Sequence, residues 1–537
     1  MEQASGLLSI ILHAHLPYVK HPEREDSLQE RWLFQAMTEC YIPLLEVFTR
    51  LAADDVPYRV AVSLSPPLLE MLSDQLLKER YKKHLAVLLD LAEKEMGRTA
   101  GDTLLWELAR MYRDRFSEVH RLYTEAFHED LVQAWGDLAR AGRVELLTSG
   151  ATHGYLPLLL SSKAIGAQVR TGLSAFRRRF GVDPQGFWLP ECAYVPEAEP
   201  FLKEGHITYF VLETHGVLLA VPRPRFGFHA PLVTPHGMLA FGRDPECSKQ
   251  VWSADEGYPG DGDYRDFYRD AGYDLPVEYL GKALPAGERA PIGLKYHRVT
   301  DRRSQFKDLY NPLAAARKAR EHAANFLYWR SQEALHYGSV IGRIPIMVAP
   351  YDAELFGHWW YEGPIFLDEL FRSMARQHRG VTAITPSEYV RYYPVNQVAQ
   401  PASSSWGYKG YNEVWLEGSN DWIYRHLHIC QEQMAEATER HRDASGLAFR
   451  ALNQASREIL LAQASDWPFI MKTGSLPEYA RSRFTSHVGR FRRLIDEIDR
   501  GAVDPVFLQE LEERDSIFRD LDLAACWREA DVPAPVS

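Results

Sequence analysis

Short apolar runs alternate with long helical stretches through the first two-thirds of the chain, and this alternation constrains the fold most. Residues 7–12, 58–64, 144–147, 186–189, 207–212, 345–348 and 381–384 read as buried strands. Between several of them lie helical patterns, such as 163–180, which Gly181 stops. Strands alternating with helices pair in parallel, which implies an α/β barrel or a doubly wound sheet. Two insertions interrupt the alternation. Residues 75–142 are highly charged and helical in pattern. Residues 215–290 are rich in Pro, Gly and aromatics, which predicts long ordered loops of the kind that shape enzyme sites. Residues 394–405 have the composition of a linker. Beyond it the spacing predicts helices over 421–442, 447–463, 478–500 and 504–522. The expected division is therefore an α/β part over 1–395 and an all-helical C-terminal domain over 396–537 that contributes to the cleft.

Bulk properties exclude several partners. A formal net charge of -12 disfavours nucleic acid and anionic membranes and suits a neutral substrate. Cys40, Cys192, Cys247, Cys430 and Cys526 are scattered with no CxxC pair. Neither a disulfide framework nor a thiolate zinc site is suggested, and a reducing cytoplasm is expected. The apolar run 7–12 is too short for a signal peptide, and no run approaches the roughly 18 apolar residues that span a bilayer. The 13 Trp and 27 Tyr serve equally for a core or for stacking on sugar faces. A monomer or a weak homo-oligomer is expected.

Position carries more information. The first strand runs into His13-Ala14-His15 and the third into 148–154, ending at His153. The fourth runs into Pro190-Glu191-Cys192, and the late strand into Pro350-Tyr351-Asp352-Ala353-Glu354. In a parallel barrel the carboxyl ends of all strands face one way, so these side chains converge on one cleft. Glu191 and Asp352 are the candidate pair. Glycosidic bond cleavage with retention needs two carboxyls about 5–5.5 Å apart, one attacking the anomeric carbon and one protonating the leaving oxygen. Either alone reads as a capping or ion-paired carboxylate. His13 and His15 lie on one side of their strand. They suit a zinc site completed by Asp352, or hydrogen bonds to sugar hydroxyls or to a carboxylate.

These residues also resemble a known family. The segments 13–18 (HAHLPY), 145–153 (ELLTSGATH), 186–194 (GFWLPECAY), 349–360 (APYDAELFGHWW) and 466–469 (DWPF) are similar, in order, to the signatures of glycoside hydrolase family 57. The third carries that family's nucleophile at Glu191, the fourth its acid/base at Asp352. The ECAY and FGHWW versions and the helical C-terminal part resemble the branching-enzyme group. That resemblance implies an incomplete (β/α)7 TIM-like barrel, no metal, no cofactor, and α-1,4-glucan as substrate. It also implies that His13, His15, Trp32, His153, Trp252, Trp359, Trp406, Trp415 and Asp466 line the glucan site. Trp406 and Trp415 stand among Gly407, Gly410 and Gly418, where a sugar platform is expected rather than a core.

The implied reaction cleaves an α-1,4 bond through a covalent glycosyl-enzyme and passes the chain to a 6-hydroxyl, with some hydrolysis. Relatives carry a closing loop with a Tyr at its tip where residues 222–249 fall; Phe226 and Phe228 stand here instead. Phe keeps an apolar shield and loses a hydroxyl. The rivals are an amylase or 4-α-glucanotransferase of the same family, a metal-dependent deacetylase built on His13 and His15, and a non-catalytic glucan-binding protein.

Overall fold

The structure is a computed structural model that describes residues 4–253, 256–301, 304, 306–377 and 380–531. The strands are β1 (Gly6–Ala14), β2 (Val60–Leu64), β3 (Val144–Ser149), β4 (Gly186–Trp188), β5 (Tyr209–Leu212), β6 (Leu232–Val233), β7 (Leu239–Gly242), β8 (Ile346–Asp352), β9 (Val381–Ala383) and β10 (Gln397–Val398). They form one sheet in the order β10-β6-β7-β5-β4-β3-β2-β1-β8, with β9 beside β1. Every pairing is parallel except β6 with β7. Parallel strands are covered on both faces, which is why β1 is buried along its whole length and reads as an apolar run.

The sheet curls until β7 and β8 meet. Asp244 N donates to Val348 O at 2.8 Å and Ile346 N to His229 O at 3.0 Å. No named strand ladder joins these two edges among the described residues, so the barrel is closed by single bonds. β7 completes the wall. It was hidden in the stretch expected to be loops, because a four-residue strand flanked by Pro and Gly shows no usable periodicity. β9, expected as a regular member, instead pairs with the start of β1 off the main path. The (β/α)7 architecture holds with β7 in that place.

The helical insertion after β2 comprises Gln75–Thr99, Thr103–Arg121 and Leu131–Arg140. Asp74, Asp102 and Asp130 cap them, each accepting a backbone N–H of the first turn. The C-terminal helices are Trp422–Arg440, Gly446–Ala462, Asp466–Thr473, Pro477–Asp499, Pro505–Arg514 and Leu523–Cys526. The segment that reads as a linker is not a free tether. Gln397–Val398 pairs with β6, Gln400 bridges Val221, and Ser404 O accepts from Tyr194 N at 2.9 Å. Among the described residues, no helix is long and apolar enough to cross a membrane.

The helical part sits on the carboxyl ends of the strands. Ser465 N donates to His153 O at 3.0 Å, Gln168 Nε2 to Gln463 Oε1 at 2.8 Å, and Thr152 Oγ1 to Leu460 O. Gln168 belongs to the helix Ser162–Phe180, which lies tight on β3: a Cβ on Gly172 would come within 2.1 Å of Ser149 O. Gly172→Ala is therefore expected to destabilise by about 1–3 kcal/mol. Thermal unfolding followed by circular dichroism checks this, with a drop of a few degrees as the expected result.

Candidate active site

Four strand ends build the site. His13 on β1 pairs in register with Ser63 on β2 and with Asp352 on β8. His13 stacks on Trp188 of β4, with centroids 4.4 Å apart and planes at 10°. Glu191 follows Trp188 in a short 3-10 turn with φ at 63°, and Cys192 and His153 also have positive φ, 48° and 59°. Three non-glycine residues in the left-handed region at one cleft are a mark of a site whose geometry overrides local preference.

The Glu191 carboxylate is held by donors from beyond the barrel. Trp406 Nε1 donates to Oε2 at 2.8 Å, and Ser465 Oγ donates to Oε1 at 2.8 Å. Ser465 is in turn 2.8 Å from His153 Nδ1; His153 Nε2 is 3.0 Å from His13 Nε2; His13 Nδ1 is 3.1 Å from Ser63 Oγ. An ionised carboxylate only accepts, and this polarises the whole row. Ser465 gives its proton to Glu191 and accepts from His153 Nδ1–H. His153 Nε2 then accepts from His13 Nε2–H, and His13 Nδ1 accepts from Ser63. Both imidazoles are neutral in this scheme. Burial, then the neighbouring His15, indeed pushes His13 and His153 well below the usual histidine range.

His15 behaves differently. Its Nδ1 meets Ser65 Oγ at 2.9 Å and its Nε2 meets Asp466 Oδ2 at 3.1 Å, and its ring stacks on His153 at 3.9 Å. Burial opposes charge on His15, but the carboxylates of Asp466, Glu191 and Glu354 together outweigh it and raise the pKa.

Asp352 lies opposite in character. Burial raises its pKa well above the aspartate range, and the charges of Glu354 and Glu191 add to the rise. Glu354 is itself pushed by burial to about 7, against hydrogen bonds from Tyr41 (2.5 Å) and His15 N (3.1 Å). Burial also raises Glu191, while the Trp406 and Ser465 donors restrain the rise.

Tryptophans rim the cleft. Trp252, on the helix Pro245–Trp252, is 6.1 Å from Trp406 and 5.9 Å from Trp359, ring to ring, and Arg243 lies 5.6 Å from the Trp406 ring. Trp252 and Trp359 are 37% and 42% exposed, as open sugar platforms require. Trp32 stands further off, edge-on to Tyr479, which touches Trp467 next to Asp466.

Two expectations are corrected. Trp415 is 1% exposed, stacked on Tyr155 at 4.4 Å, with its ring edge against Gly407. It packs behind the site and is no platform, because the glycines around it let backbone close over the ring. Phe226 and Phe228 do not overhang the cleft. Phe226 lies 5.0 Å from the guanidinium of Arg343, which precedes β8, so it stands at the amino ends of the strands, and Phe228 packs on His229. Sequence reasoning gathered Glu354 at its strand end without giving it a role, and missed Ser465, Tyr41 and Arg243. Ser465 adjoins the matched segment 466–469, which was the available signal.

A cleft at the carboxyl ends of a parallel barrel, with two buried carboxyls of contrasting environment and exposed indole faces, defines an enzyme acting on glycosidic bonds. The comparisons are specific: the glycosyl hydrolase family 57 model matches residues 9–402, so the chain belongs to that family. A second model, described as 1,4-alpha-glucan branching enzyme, C-terminal, matches residues 426–525. The chain is 32% identical to a 1,4-alpha-glucan branching enzyme of Thermococcus kodakarensis, over 96% of this chain and 77% of that one. Among solved structures it is similar to the alpha-amylase AmyC from Thermotoga maritima (TM-score 0.91, 38% identity, 98% and 100% of the two chains). It is also similar to a GH57-type branching enzyme from Pyrococcus horikoshii (TM-score 0.88, 32% identity, 99% and 99%).

Removing either donor to Glu191 removes stabilisation of its charged form and raises its pKa. In Ser465→Ala and Trp406→Phe the acidic limb of the activity profile is expected to move to higher pH by about one unit, the equivalent of ~1.4 kcal/mol. Rates on amylose across pH check this. An unmoved limb would show that neither bond bears on Glu191.

Proposed function

We propose that this chain is a 1,4-α-glucan branching enzyme in which Glu191 is the nucleophile and Asp352 the general acid/base. The observation that carries the reading is the contrast between the two buried carboxyls. Glu191 receives two hydrogen bonds suited to an anion, whereas burial, with the charges of Glu354 and Glu191 added, favours the protonated form of Asp352. Environments that drive two acids apart assign the base and the acid.

Glu191 attacks C1 of an α-1,4-linked glucose while Asp352 gives its proton to the departing 4-oxygen. The result is a covalent glycosyl-enzyme. Asp352, now ionised, takes the proton of an acceptor 6-hydroxyl as its oxygen attacks C1 and Glu191 leaves. An α-1,6 branch forms and both side chains return to their first state. Trp252, Trp359 and Trp406 offer indole faces to the glucan. Arg243, beside Trp406 and ion-paired with Glu213 at 3.0 Å, braces this part of the rim.

The branching reading draws support from the match to the branching-enzyme C-terminal model and from the similarity to 1,4-alpha-glucan branching enzymes. Hydrolysis is the second reading, and the similarity to the alpha-amylase AmyC favours it. Proton NMR of products from amylose separates them: an α-1,6 signal that isoamylase removes is expected, alongside some reducing ends. Reducing ends with no α-1,6 signal would make the chain a hydrolase. We place the enzyme in the cytoplasm as a monomer or weak homo-oligomer, supported by its free, buried cysteines.

Two further outcomes follow from the geometry. Glu354→Gln removes the charge that most raises Asp352 after burial. Ionisation of Asp352 then becomes easier, its pKa falls, and the alkaline limb of the rate profile moves to lower pH. Trp359→Ala deletes one stacking face and is expected to raise KM for amylose about tenfold, ~1.4 kcal/mol, with kcat little changed. Steady-state kinetics on amylose reads both.

A further inference from the structure

A second polar cluster lies outside the cleft, at the seam where β7 and β8 close the barrel. His229 precedes β6, Asp244 follows β7, and Glu333 comes from the helix Pro312–Ile341 packed outside. One ligand atom of each lies within 4.8 Å of the other two. His229 is 2% exposed, and neither ring nitrogen has a hydrogen-bond partner among the described residues. Asp244 is fully buried; its Oδ1 caps the helix Pro245–Trp252 through Cys247 N at 2.8 Å, and its Oδ2 has no partner.

Arg330 supplies one positive charge, with Nη1 2.7 Å from Glu333 Oε2 and 3.4 Å from Asp244 Oδ1. Two carboxyls crowd one guanidinium here, and burial, then the Asp244 charge, pushes Glu333 up to about 8. A guanidinium only donates, and it leaves Asp244 Oδ2 and the imidazole unsatisfied. One imidazole nitrogen and two carboxylate oxygens converging from separate elements form the ligand set of a borderline divalent ion.

We infer that His229, Asp244 and Glu333 form a binding site for a divalent transition-metal cation of the zinc class, which clamps the barrel seam. The backbone on either side already carries the closing bonds, His229 O from Ile346 N and Asp244 N to Val348 O. A cation here joins three chain segments that otherwise meet through single hydrogen bonds. It also anchors the base of the helix that carries Trp252, one residue beyond Arg243.

The test uses chelator-treated, full-length protein dialysed against zinc chloride, with bound metal measured by elemental mass spectrometry. Cobalt(II) replaces zinc in a second arm read by visible absorption. About one zinc per chain is expected, with an intense cobalt spectrum of low coordination number. His229→Gln and Glu333→Gln are expected to lose both signals, and zinc to raise the melting temperature of the natural protein but not of Glu333→Gln. Glu333 is the least buried of the three side chains, so that variant reads the site even if His229→Gln fails to fold. His15→Gln locates any zinc held by the cleft histidines, and it is expected to retain the metal. Absence of zinc above the dialysis blank, retention in both seam variants, or loss in His15→Gln would each overturn the inference.

Discussion

The structure turns on one carboxylate made ionisable inside a protein by donors that its own barrel does not supply. Glu191 sits on a left-handed residue after β4, and its two hydrogen bonds come from Trp406 and Ser465, both beyond the barrel sequence. The same two residues bond the strained backbone. Trp406 N donates to Glu191 O at 3.0 Å, and Ser465 N to His153 O at 3.0 Å. Left-handed non-glycine residues cost about 1–3 kcal/mol each, and docking of the helical part is what holds them. The C-terminal part thus belongs to the site: without it the barrel has the carboxyls but not the donors that hold Glu191.

The row of hydrogen bonds behind Glu191 has a direction because it ends on an anion. That direction requires neutral histidines at 13 and 153, and burial among apolar rings provides them. His15 is stacked on His153 yet drawn toward the charged form by Asp466. A proton on either neutral ring would turn an acceptor nitrogen into a donor and break the row. Favouring charge on His15, which is bonded to Asp466 and lies outside the row, over charge on His13 or His153 keeps Glu191's partners in the required tautomers.

Much of this was legible from the order of residues, for a physical reason. Parallel pairing forces strand ends to one side, so His13, Glu191 and Asp352 could be gathered from their positions after apolar runs alone. The match of separate signatures then gave them roles. What could not be read depends on three dimensions. Ser465 is an ordinary helix-entry serine until its segment is docked on the loop that follows β3. β6, β7 and β10 are too short to show a period. Trp415 was misjudged because glycines near a tryptophan suggest openness, whereas here Gly407 lets the backbone press against the ring edge. Phe226 was misplaced by analogy of position, since a loop of the same order in the chain can pass to either end of a barrel.

The placement of Phe226 bears on how an enzyme of this kind favours transfer over hydrolysis. Both outcomes share the glycosyl-enzyme and the same base, so the rates divide on what reaches C1 when Asp352 is ionised. An aromatic held at the amino ends of the strands shields nothing there. The rim is instead made of Trp252 and Trp359, which are partly exposed and, on the proposed reading, offer flat faces to sugars. A bound acceptor chain brings its 6-hydroxyl to the base as an effectively intramolecular reactant, and well-oriented groups of this kind reach effective molarities of about 10⁵–10⁸ M. That greatly exceeds the concentration of bulk water, so occupancy of the acceptor side suffices to direct the intermediate. On the proposed reading, selectivity rests on how well the indole rim holds a second glucan, and hydrolysis is what remains whenever that place is vacant.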